Sequence, residues 1–133
     1  MKGISCIDVC ETQLCDCKVD RADCKNKNLT EINEDLDISS NAIKIIESST
    51  FENINISVLA LNLRNNLINT IDEDTFYLIP TLVRLDLSYN QISVLPDGLF
   101  DEVGHLQHLD LSFNPIKELE ETLFMNLKNL KNH

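Results

Sequence analysis

The sequence predicts an α/β repeat solenoid: short parallel β-strands along a concave face, irregular or 3-10 turns along a convex face, and a cysteine-rich N-terminal cap. Three observations predict it. The chain has 133 residues, and its C-terminal three quarters repeat with a period of 24. Every copy carries the alternation Leu-x-Leu-x-x-Asn or a close variant. All five cysteines fall within the first 24 residues. Composition agrees with the period, since 20 Leu, 14 Ile and 15 Asn imply a repeated use for each of these residues.

The copies are VLALNLRNNLINTIDEDTFYLIPT from Val58, LVRLDLSYNQISVLPDGLFDEVGH from Leu82 and LQHLDLSFNPIKELEETLFMNLKN from Leu106. A less regular copy, LDISSNAIKIIESSTFENINIS, begins at Leu36 and carries one extra residue near Asn55. Within each copy the alternating leucines, such as Leu61 and Leu63 or Leu85 and Leu87, form a period-2 strand with one buried face. One such strand cannot bury its face alone, so the copies stack as a parallel sheet with strands ~4.8 Å apart. Asn41, Asn66, Asn90 and Asn114 recur where the chain turns away from the strand. An amide both donates and accepts, so these residues are expected to form a structural ladder for the backbone groups that the turn leaves unpaired. Phe51, Phe76, Phe100 and Phe124 recur with the same spacing and predict an aromatic spine toward the convex side.

The repeats resemble those of extracellular leucine-rich repeat proteins of the typical 24-residue kind. The block LPDGLFDEVGHLQHLDLSFN in particular is similar to the ectodomains of Toll-like, Slit-like and variable lymphocyte receptors. That resemblance implies a cap over residues 1–35 and repeats over 36–133, starting near 36, 58, 82 and 106. LKNLKNH opens a fifth copy without a C-terminal cysteine cap, which points to self-association through an uncapped edge. Cys10, Cys15, Cys17 and Cys24 follow the family's cap order, and by resemblance Cys10 pairs with Cys17 and Cys15 with Cys24. Four cysteines allow three pairings, and the sequence itself does not choose among them. Cys6 is left unpaired or intermolecular. A structural zinc site is the rival, but Cys15 and Cys17 are one residue apart, where zinc hairpins use two to four. No metal and no cofactor is expected.

Function is expected on the concave face, where solenoids usually bind. The outward positions form four columns: Asp35, Ala60, Arg84 and His108; Asp37, Asn62, Asp86 and Asp110; Ser39, Arg64, Ser88 and Ser112; Ser40, Asn65, Tyr89 and Phe113. A protein-binding patch is expected from Arg64, Arg84, Asp86, Tyr89, His108, Asp110 and Phe113, because rigid aromatics beside charges make interface hot spots. Asp110 has no evident cationic neighbour there. Two sequons, Asn28-Leu29-Thr30 and Asn55-Ile56-Ser57, are glycosylation candidates, the second at the extra residue.

Eleven Lys and Arg against 22 Asp and Glu leave a net charge of −11. That disfavours nucleic acid and anionic membranes, which need a basic footprint, and favours a basic protein partner. No apolar run reaches the ~18 residues of a membrane span. No nucleophile arrangement, phosphate loop or His-Glu-x-x-His spacing is present. The expectation is a non-catalytic, secreted or cell-surface recognition module, with a matrix protein or a short antagonist as alternatives.

Overall fold

The computed structural model describes residues 33–52 and 57–131, together with the backbone of three two-residue strands nearer the N-terminus. Those strands are β1 (Ile4–Ser5), β2 (Asp16–Cys17) and β3 (Ala22–Asp23). The side chains of all five cysteines, and residues Asn28 and Asn55, lie outside the described part of the chain, so the disulfide and glycan expectations do too.

The main sheet is built from β1, β4 (Asn33–Asp37), β6 (Ser57–Asn62), β8 (Arg84–Asp86) and β9 (His108–Asp110), in that order, every pair parallel. Successive strands of the repeats are neighbours because each coil returns the chain one sheet spacing further along. The edge strand β1 pairs Ile4 with Leu36 and Ser5 with Asp37, ahead of the first repeat. Strands β2 and β3 form a separate antiparallel pair. Strand β4 begins at Asn33 and so spans the boundary drawn between residues 35 and 36. A second small parallel sheet on the flank joins β5 (Ile45–Ile46) to β7 (Thr70–Ile71). The convex side consists of turns and two 3-10 segments, Ser48–Phe51 and Glu121–Phe124.

The core is what the leucine alternation requires. Leu36, Leu61 and Leu85 are in register across the sheet and at most 2% exposed, and Leu63 and Leu87 follow inside the next bend. Toward the convex side Phe51, Phe76 and Phe100 are fully buried. Phe76 stacks on Phe100 at 6.1 Å, and Phe100 on Phe124 at 6.2 Å. Each coil closes on turn chemistry. In Pro96-Asp97-Gly98, Gly98 takes a φ of +77°, a conformation that other residues adopt only with strain.

The extra residue of the first repeat is accommodated in the sheet. Pairing runs Glu34 to Val58 and then Asp35 to Ala60, so Leu59 has no Cα partner in β4. A one-residue bulge there keeps Leu36 opposite Leu61 and the leucines on the buried face. The sequence had put that residue near Asn55; the strand register puts it at Leu59.

Candidate functional site

Strand register aligns the outward columns. Asp35, Ala60, Arg84 and His108 are successive partners, and so are Asp37, Asn62, Asp86 and Asp110. These eight residues, with the strand leucines between them, line a broad concave groove of about 1010 Å³.

The second column shapes the backbone. In every repeat its side-chain oxygen accepts the N–H two residues later: Ser39 N–H on Asp37, Arg64 N–H on Asn62, Ser88 N–H on Asp86 and Ser112 N–H on Asp110, each at 2.9 to 3.0 Å. This is an Asx turn, which bends the chain out of the strand. Ser88 and Ser112 also donate their hydroxyls to the same carboxylates. Asp110, expected to lack a partner, is therefore engaged by Ser112, and further contacts involve it and His108. The acidic column is thus partly a structural device.

The asparagines lie just behind. Asn90 donates to the carbonyls of Leu63, Leu87 and Ser88, and its Oδ1 accepts the Ile68 N–H. Asn66 donates to Ile38 and Leu63 and accepts from Asn41 and Ile43. Asn114 donates to Leu87 and Leu111 and accepts from Ile92, while Asn41 donates to Ile38 and Ser39. Each amide from Asn66 onward thus ties its own turn to the preceding one. Among the described residues no buried side-chain nitrogen or oxygen is left without a partner.

The bend imposes a second regularity. Ser40, Asn65, Tyr89 and Phe113, the whole fourth column, have φ between 54° and 58°. Asn tolerates this left-handed conformation; Tyr and Phe pay a steric cost for it. In return the two rings stack at 4.2 Å and 16°, and the Arg64 guanidinium lies over Tyr89 with Cζ 4.4 Å from the ring centroid. Arg64 also donates from Nη1 to the Ser88 hydroxyl, itself bonded to Asp86. The chain Arg64–Ser88–Asp86 therefore joins a cation to an anion through a hydroxyl that is 0% exposed. Phe113 is 69% exposed and Tyr89 40%. Arg84 is exposed and makes no hydrogen bond or ion pair among the described residues.

So the structure brings Arg64, Asp86, Tyr89 and Phe113 into one contact network, with Arg84, His108 and Asp110 on the neighbouring strand positions. The third column does not face outward uniformly, because Ser88 is buried. Its bridging role was missed, although Asp-x-Ser at 37–39, 86–88 and 110–112 is a visible Asx-turn signal. Among the described residues no three His, Cys, Asp or Glu side chains are grouped to hold a metal, and no helix is long and apolar enough to cross a membrane.

Comparison with known proteins places this geometry. The Leucine rich repeat family model matches residues 34–92 and 80–132. No curated protein matches the chain. Among solved structures, a chain of the TLR13-ssRNA13 complex matches at 30% identity with a TM-score of 0.65, over 75% of this chain and 14% of that one. This chain therefore spans a small part of that receptor's length. In all, 67 chains of solved structures match, so the fold recurs widely and does not by itself name a ligand.

Proposed function

We propose, from the premise that this chain belongs to the leucine-rich repeat family and that its repeats are of the Toll-like-receptor type, that it is a non-catalytic recognition module binding a protein partner on its concave face. Its setting is extracellular, as part of a cell-surface receptor ectodomain or a secreted binder, with a role in innate-immune or cell-surface signalling. One observation carries the reading: two aromatic rings stand stacked and exposed on the concave side, held by a guanidinium and bordered by the open Arg84. Hydrophobic surface kept rigid among charges is what hot spots are made of.

The mechanism is one of preorganisation. The amide ladder and the Asx turns fix the backbone beneath the patch, so a partner orders few of its side chains on binding. Arg84 and His108 in one column face Asp86 and Asp110 in the next, so the groove offers both signs of charge to a complementary partner. A nucleic-acid ligand is the competing reading, since the similar receptor chain comes from a complex with ssRNA13. The net charge of −11 favours protein, because a polyphosphate needs a basic surface.

The test is a binding screen against secreted and cell-surface proteins, with single-stranded RNA in parallel. Arg84→Glu and Phe113→Ala are expected to lose the selected protein, whereas Asp101→Lys on the convex side keeps it. Binding that survives both concave substitutions, or selection of RNA alone, would contradict the proposal.

A further inference from the structure

Along the fourth column the order of groups is Arg64 guanidinium, Tyr89 ring, Phe113 ring, and then open surface. Arg64 comes from the repeat before Tyr89 and Phe113 from the repeat after it, so they cover opposite faces of the Tyr89 ring. The outward face of Phe113 has no ring or cation against it among the described residues, and the side chain is 69% exposed.

We propose that this open face of Phe113 is a docking site for a flat cation, the arginine guanidinium of a basic polypeptide. The inference rests on the concave face being the protein-binding face and names the chemistry of the partner there. A ring's faces are electron-rich, so a stacked pair has two outward faces that attract cations. The chain fills one of them with its own Arg64. The other is the same chemistry left open, and it completes a sandwich of two guanidinium planes around two rings.

Three further features select the occupant. Asp86 and Asp110 lie in the adjoining column, and the whole chain carries −11, so a basic segment is drawn in. Arginine suits the site better than lysine because its guanidinium is planar, weakly hydrated and stacks on rings. The ring is also held in advance. Asn114 binds the Leu87 and Leu111 carbonyls and Asp110 accepts from Ser112, which fixes the backbone on both sides of Phe113. A nucleobase would stack on the same ring, but its phosphates would meet the acidic columns.

The experiment titrates the chain with a tetra-arginine peptide, a tetra-lysine peptide and a short single-stranded RNA, following the Phe113 ring resonances by NMR. The arginine peptide is expected to bind several-fold tighter than the lysine peptide. Phe113→Leu should weaken the arginine peptide by roughly tenfold and leave the lysine peptide unchanged, while Phe113→Tyr retains the preference. Each variant's melting curve checks that it folds. Equal binding of the two peptides, unaffected by Phe113→Leu, overturns the proposal, and so does Phe113-dependent binding of the RNA. Asp86→Asn and Asp110→Asn, which keep the Asx-turn oxygen, separate the two readings. If they weaken the arginine peptide and Phe113→Leu does not, the concave face stands and the Phe113 site falls. If none of these substitutions matters, both fall.

Discussion

Tyr89 and Asn90 are adjacent and do opposite things. Asn90 is 7% exposed and satisfies four backbone groups. Tyr89 is 40% exposed, in a left-handed conformation, with its ring outward. Asn90→Ala should therefore cost about 1–3 kcal/mol in urea unfolding, the cost of orphaned buried groups. Tyr89→Ala should cost less than ~1 kcal/mol while weakening partner binding, as should Phe113→Ala. Tyr89→Gly should be more stable than Tyr89→Ala by about 1 kcal/mol, because glycine accepts the positive φ freely. If either aromatic substitution unfolds the domain instead, those rings belong to the core and not to a binding surface. The column assignment of Asp86 and Tyr89 was legible in the sequence, because a fixed period of 24 dictates which residues become neighbours. The burial of Ser88 and the left-handed column were not. Alternation tells inside from outside only while the chain is extended, and it ends at Asp86, where the Asx turn begins.

Between coils, the unit of stabilisation is the matched layer. Phe100 stacks between Phe76 and Phe124 and is fully buried, whereas Phe124 is only half-buried at the end of the described stack. Phe100→Ala should cost about 3–5 kcal/mol, and Phe124→Ala clearly less, as read from denaturation midpoints. Equal costs would mean that the spine does not carry layer-to-layer packing. The strands were legible as elements from Leu61, Leu63, Leu85 and Leu87. The bulge at Leu59 was not, because counting residues from Asn41 to Asn66 shows that one is extra without showing where it sits. The sheet places it where the leucines can still face inward on either side. Strand β1 was equally unreadable, since Ile4–Ser5 lacks the repeat's signature and gains its place only by pairing with Leu36 and Asp37.

At the scale of the whole molecule, a solenoid holds together by contacts between successive coils, so its ends matter. The cap expected over residues 1–35 predicts two disulfides and one free thiol, countable by alkylation and intact mass with and without reductant. Cys15→Ser should then lower stability by about 2–5 kcal/mol. Five free thiols would remove the disulfide cap and the extracellular setting with it. The same stacking that orders the core also sets out one polar, aromatic-edged face, on which Arg64, Arg84, Tyr89, His108 and Phe113 are brought together from three repeats. The most direct test of the central claim is photo-crosslinking from that face, with the crosslinking residue placed at position 108 or, on the convex side, at position 101. The account predicts that a partner selected from secreted and cell-surface proteins is captured from position 108 and not from position 101. Capture from position 101 alone would contradict it.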